Sequence, residues 1–222
     1  MWGLALRLPP LVYFIIAVLM VIVSVTTFLD HQKDEAVKAQ ARAGKRPEAV
    51  AIENFDRTRN VGLADEVTIL GQLDADRVID VSETKDGRET DHWTIAPLYP
   101  TDAEAPTAEA PAVFVQHGAI TDKQLVALAV GPGKFGPILL LNGKMETQVN
   151  GPSQVRKALN GRVAVAPAAI YVDPFEEGRL KGLEASTSGR DIAIVALIVA
   201  LVITGYGFYR RWDLRMAPER YV

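Results

Sequence analysis

Residues 192–209, IAIVALIVALVITGYGFY, carry no charge and run directly into Arg210 and Arg211. About 18 apolar residues are enough to cross the hydrocarbon core of a bilayer as a helix. Tyr206 and Tyr209 stand where aromatic rings gather at a membrane surface. Arg210, Arg211, Arg215 and Arg220 form a short basic tail that the positive-inside rule assigns to the cytoplasm. The core helix of a globular protein rarely stays apolar all the way round, so this stretch is expected to span a membrane.

A second such stretch, residues 11–29, begins just after Arg7 and the Pro9-Pro10 pair and ends at Asp30-His31. It is longer than the apolar region of a signal peptide and has no convincing small-residue cleavage site after Val25, so it is expected to be a retained anchor. Two spans put both termini on one side and the chain between them on the other. A long loop is translocated regardless of its Lys and Arg content.

The expected fold is therefore a membrane-anchored α+β protein, with two transmembrane helices flanking an antiparallel β-rich extracytoplasmic domain. Its divisions are a cytoplasmic N-terminus (1–10), the first span (11–29), a helical spacer (30–60), the β-rich domain (61–185), the second span (191–209) and a basic tail (210–222).

Composition narrows the function. The chain has 222 residues, 49% of them hydrophobic, with a net charge of -3, enough for one medium-sized core outside the spans. A mildly acidic chain without a basic cluster between its spans gives no support for nucleic-acid binding. It has no cysteine, which excludes disulfides, thiol nucleophiles and thiolate metal sites.

Between the spans, residues 30–46 (DHQKDEAVKAQARAGKR) are charged and rich in good helix formers, so they extend the first helix until Gly44 and Pro47 stop it. From Val67 the period changes. VTILGQL (67–73) and RVIDVSE (77–83) are rich in β-branched residues, and Val78, Asp80 and Ser82 alternate with Ile79, Val81 and Glu83. Asp86-Gly87 between this run and ETDHWTIAPL (89–98) is a hairpin signal. Asn142-Gly143, between PILLL (137–141) and KMETQV (144–149), is a second one.

Residues 102–111 (DAEAPTAEAP) form an exposed loop. AVFVQHGAI (112–120) is a strand, 124–130 is either a short helix or a strand, and PSQVRKALN (152–160) is a short helix stopped by Gly161. Residues 163–172 form a last strand interrupted at Pro167, and Asp173-Pro174 turns the chain. Short strands at regular spacing indicate an antiparallel sheet or a small barrel.

No stretch has the pattern of a catalytic constellation. GPGKFGP (131–137) lacks the Gly-Lys-Ser/Thr ending of a phosphate loop and has no helix pattern after it, so it is expected to be a turn. Asp173 with Glu176-Glu177 could form an acid and base pair, though adjacent carboxylates on a loop are usually just solvated. None of His31, His92 and His117 has a second ligand at a spacing that makes a metal site by itself. Asp91 neighbours His92 but points to the other face of its strand. His31 lies at the outer edge of the first span, where a haem or a partner's helix could reach it, although an interfacial polar residue that caps the span is the commoner case.

The order of segments resembles the SURF1 family of cytochrome c oxidase assembly factors, which have a span near each end and a β-rich domain between. VTILGQL (67–73) is similar to that family's V-x-V-x-G-x-F strand, and WTIAPL (93–98) to its V-x-T-P-L strand. AVFVQHGAI (112–120) stands where the family has V-L-V-N-R-G-W-V, and ILLLNGKM (138–145) resembles its V-x-V-x-G-x-L strand. This chain has His117-Gly118-Ala119 in place of Arg-Gly-Trp. It also has Ser186 to Arg190 in place of the Asn-His pair linked to haem a. The resemblance therefore implies a divergent member acting on a respiratory complex, without implying haem handling.

The expected function is that of a non-enzymatic assembly factor or accessory subunit of cytochrome c oxidase or a supercomplex, with no metal and no resident cofactor, haem a through His31 being the exception to watch. The partners expected are respiratory oxidase subunits and the lipid bilayer. The Ala-rich and Val-rich composition favours a bacterial cytoplasmic (inner) membrane, with the main domain periplasmic. Gly205, Gly207, Ala193, Ala196 and Ala200 are small residues that allow close approach of a partner's helices. The 173–179 segment, with Asp173, Phe175 and Arg179, would add polar and aromatic contacts. The alternative is a stand-alone envelope sensor or binding module that recognises a small molecule or peptide through its sheet.

Overall fold

A computed structural model describes residues 9–86, 88–146 and 153–216. Arg7 and Arg220, Gly87, residues 147–149 and Pro152 fall outside them. The chain divides into two compact units, residues 37–184 and a helical unit made of the flanking residues up to Ala36 and from Ala185.

In the helical unit, helix α1 (Pro10–Ala43) enters from residue 10 and helix α5 (Ser188–Met216) leaves. At 1.5 Å per residue each exceeds the ~30 Å of a hydrocarbon core, and both are apolar enough over 18 residues to cross a membrane. They pack antiparallel along one seam. Tyr13, Ala17 and Ser24 are the buried positions on the part of α1 that belongs to this unit; Ala193, Ala200 and Gly207 are those on α5. The steps of four and seven residues keep one stripe of a helix facing its partner. The Ser24 hydroxyl donates to the Ala193 carbonyl at 2.6 Å. Tyr13 meets Tyr206 and Phe14 meets Phe208, both edge to face, an arrangement that suits the charge distribution of aromatic rings.

Unit 37–184 takes in the end of α1 and most of the segment expected to be a spacer. Gly44 does stop the helix, its N–H bonding back to the carbonyls of Gln40 and Ala41. By residue 50 the chain is in the sheet, as β1 (Val50–Ala51), and the next residue, Ile52, lies in the core. The remaining strands are β2 (Glu66–Leu73), β3 (Ile79–Lys85), β4 (Arg88–Tyr99), β5 (Ala110–His117), β6 (Ala129–Pro132), β7 (Pro137–Glu146) and β8 (Val165–Pro174). Among the described residues three short α-helices accompany them: α2 (Asp122–Leu128), α3 (Ser153–Arg162) and α4 (Arg179–Gly182).

The sheet closes on itself. The order β2-β4-β5-β8-β7 returns to β2 through a seven-residue ladder from Glu66↔Lys144 to Gln72↔Ile138. Val67, Ile69 and Leu73 of β2 meet Ala96, Leu98, Ala112, Phe114, Leu139, Leu141, Ile170 and Val172 in one cluster, as expected when a small ring fills its interior with alternate side chains. The opposite face of β4 and β5 carries Trp93, Ile95, Tyr99, Val113 and Val115. There they join Ile79 of β3 and Leu159 and Val163, at and just beyond the end of α3. β4 is thus buried on both faces along its second half.

Several expectations need correction: residues 110 and 111 of the expected 102–111 loop belong to β5, with Ala110 fully buried, and β8 runs unbroken through Pro167 and Asp173-Pro174. The sheet is mixed, because β5 and β8 run parallel, as do β1 and β2. The long connection through α2, β6, β7 and α3 is what makes the β5/β8 pairing possible. Asn142-Gly143 is no hairpin turn, since β7 runs straight through it. Gly143 is needed there because a Cβ would lie 2.2 Å from the Asp173 carbonyl oxygen of β8. Finally, α3 continues through Gly161. The Asp86-Gly87 reading fits the β3/β4 hairpin, with Lys85 opposite Arg88 and Asp86 at a φ of 53°.

Segment 124–130 is both of its alternatives in turn. α2 starts with a capping box in which Thr121 and Gln124 satisfy each other's backbone N–H, and β6 follows at Ala129.

Candidate functional site

Period-two alternation places a set of side chains on the outer face of the ring. Thr94 pairs with Gln116, so Trp93 stands beside His117, their rings 5.3 Å apart. Val115 is two residues back along β5. On β8, Tyr171 is opposite Glu146 and Asp173 is opposite Lys144. Trp93, Val115, His117, Glu146, Tyr171 and Asp173 together line an open cleft with a cavity volume of about 40 Å³.

The charges in the cleft do not balance. The Lys144 ammonium pairs with Glu146 at 2.9 Å rather than with its cross-strand neighbour Asp173. Burial works against that ammonium, but the pair with Glu146 and the fields of Asp65 and Asp173 outweigh it and raise its pKa. His117 directs Nε2 to the Asp91 carboxylate at 3.1 Å. Among the described residues, no side-chain donor bonds the Asp173 carboxylate. Burial, then Glu176 and Glu146, push its pKa up to about 6, while Lys144 and His117 pull the other way. Glu176 is shifted upward as well, first by burial and then by Glu177, with His117 opposing. Burial also raises the Tyr171 phenol.

The structure thus brings Asp173, Glu176 and His117 into one neighbourhood. His92 lies elsewhere, between Glu89 at 2.9 Å and Asp80 at 3.3 Å. Its pKa is raised by the bond to Glu89 and, in smaller measure, by Asp80, against burial. Asp91 points away from His92, as the strand geometry requires, and reaches His117 on β5 instead. GPGKFGP is a hairpin turn between β6 and β7, with the Gly133 N–H bonded to the Gly136 carbonyl. Among the described residues no three His or acidic side chains are grouped to hold a metal ion. Sequence reasoning missed Glu146, Lys144 and Tyr171. Their alternation along β7 and β8 carried the signal, but the false turn at Asn142-Gly143 concealed it.

The residues expected to contact a partner have varied places. Ala193, Ala200 and Gly207 are taken up by packing against α1, and Ala196 is half-buried on the same helix. Gly205 faces open space. Phe175 is half-buried, its ring occupying the room that Gly182 leaves. Arg179 turns inward and forks onto Glu66, with Nε to Oε1 at 2.7 Å and Nη2 to Oε2 at 3.0 Å, and also donates to the Ala41 carbonyl. Glu66 is 1% exposed and accepts a further bond from the Asn142 amide at 2.9 Å. This network ties β2, β7 and α4 to the last turn of α1. His31 lies on α1 against Gly189, where a Cβ would come within 2.8 Å of its Nδ1.

Comparison of the sequence with models of known families and with curated proteins finds no match.

Proposed function

We propose that this chain is a non-enzymatic two-pass membrane protein. Its β unit lies outside the cytoplasm, and it docks on a larger membrane complex as an assembly factor or accessory subunit. One observation carries the reading: only 17% of each apolar window in α1 and α5 is buried within the chain. Leu11, Ile15, Val18, Leu19, Leu201 and Val202 are each more than half exposed. Apolar surface costs about 25 cal/mol per Å² in water, so flanks of this extent call for lipid or another protein's helices.

The resemblance of the β2, β4, β5 and β7 segments to the SURF1 family supports cytochrome c oxidase, or a supercomplex containing it, as the partner. A bacterial cytoplasmic membrane with the β unit in the periplasm is the setting that this reading implies. The inward Gly207, Ala200 and Ala193 leave the exposed flanks and Gly205 as the surface for a partner's helices.

The test is purification in mild detergent through a C-terminal tag, with mass spectrometry and a visible absorption spectrum of what accompanies the chain. Oxidase subunits in fixed proportion, with haem bands, are the expected result. A colourless protein that elutes alone would overturn the respiratory reading and favour an independent envelope sensor.

A further inference from the structure

We propose that the cleft between Trp93, Tyr171, Glu146 and Asp173 is the seat for a single basic side chain, a lysine ammonium or an arginine guanidinium, presented by a protein partner. The inference deepens the docking reading above and rests on it.

Size comes first. A cavity of about 40 Å³ holds on the order of three waters at about 10–15 Å³ each, whereas pockets that enclose a free small molecule have about 300–1,000 Å³. The space suits the tip of a side chain whose body belongs to something larger. The cleft is open, as a seat filled from outside must be.

Chemistry selects the sign of the charge. An anion would meet Asp173, Glu146 and Glu176 without a free cation among the described residues, since Lys144 is committed to Glu146 and His117 to Asp91. An apolar tip would strip water from Asp173 and offer it no bond, which is costly for a carboxylate. A cation supplies the donor that Asp173 lacks among the described residues, and Trp93 and Tyr171 line the cleft as aromatic rings, a residue type that attracts cations. A metal ion is a poorer fit, because the described residues provide no three-ligand group.

Trp93 provides the readout. The chain has three tryptophans, so replacing Trp2 and Trp212 by Phe leaves Trp93 as the only tryptophan, excited selectively at the red edge beyond tyrosine absorption. The full-length protein in non-ionic detergent is titrated with Nα-acetyl-arginine amide at neutral pH and constant ionic strength. Nα-acetyl-citrulline amide serves as the uncharged isostere. We expect a saturable change in Trp93 emission with a midpoint in the millimolar range and no response to citrulline. Asp173→Asn should weaken binding about tenfold, and Glu146→Gln should weaken it further.

Both replacements keep side-chain shape, and an unchanged Trp93 emission maximum before titration verifies the fold. Equal responses to the arginine and citrulline amides, absence of saturation, or an unaltered midpoint in Asp173→Asn would each overturn the assignment. If oxidase subunits co-purify while the cleft ignores arginine, the seat is wrong and the docking reading stands. Specific arginine binding by a chain that purifies alone keeps the seat and removes the oxidase.

Discussion

Glu66 and Arg179 show how far one pair of side chains can determine a local structure. A carboxylate 1% exposed is tolerable only because the guanidinium fork and the Asn142 amide satisfy it; an unpaired buried charge is far more costly. Arg179→Ala should therefore destabilise the β unit by about 3–5 kcal/mol, read from the denaturant midpoint of tryptophan emission. Replacing both residues by Met should recover most of that loss. Arg179→Lys should recover little, because an ammonium cannot fork onto both oxygens. Equal destabilisation by the single and double replacements would show that the pair is not the source.

At the scale of elements, α5 has two glycines two residues apart with different duties. Gly207 is pressed against Tyr13, to which a Cβ built on the glycine comes within 3.2 Å, while around Gly205 there is open space. That 3.2 Å lies just under the ~3.5–4.5 Å between the Cβ atoms of a disulfide, and the absence of native cysteine makes the test clean. Tyr13→Cys with Gly207→Cys should oxidise to an intramolecular disulfide in membranes, and Tyr13→Cys with Gly205→Cys should not. Cross-linking in both pairs, or in neither, would contradict the seam. β7 teaches the complementary lesson: Asn-Gly usually signals a turn. Here Asn142 is held by side-chain bonds to β2 and Gly143 admits the backbone of β8, neither of which is a local property.

For the β unit as a whole, the cleft makes stability depend on pH. The folded-state pKa of Asp173, about 6, lies above its ordinary value of 3.8. Between those values the folded chain binds more protons than the unfolded one, so stability falls as pH rises through the window. Burial is the main cause, followed by the charges facing Asp173: Glu176 and Glu146 raise the value against Lys144 and His117. Asp173→Asn removes this contribution. Thermal unfolding followed by circular dichroism should find the variant more stable than the parent at neutral pH. The advantage should vanish near pH ~4, where the parent carboxyl is protonated. A difference independent of pH would contradict the assignment.

The sequence by itself determined the features that depend on neighbours along the chain. The long, uncharged and largely apolar runs at 11–29 and 192–209 became helices because a helix satisfies its backbone hydrogen bonds within the segment. Gly44 stopped α1, Asp86 took up a positive φ between β3 and β4, and Thr121 with Gln124 capped α2. The strand content followed from β-branched alternation.

Tertiary structure alone decided the rest. The parallel β5/β8 pairing, the closure of β2 on β7, the inward turn of Arg179 and the gathering of Trp93, Glu146, Tyr171 and Asp173 on one face join residues tens of positions apart. Their partners are chosen by which hydrogen-bonded edges and buried faces can be satisfied together. No local window contains that choice, which is why Asp173 and His117 were visible as candidates while the cleft they share was not.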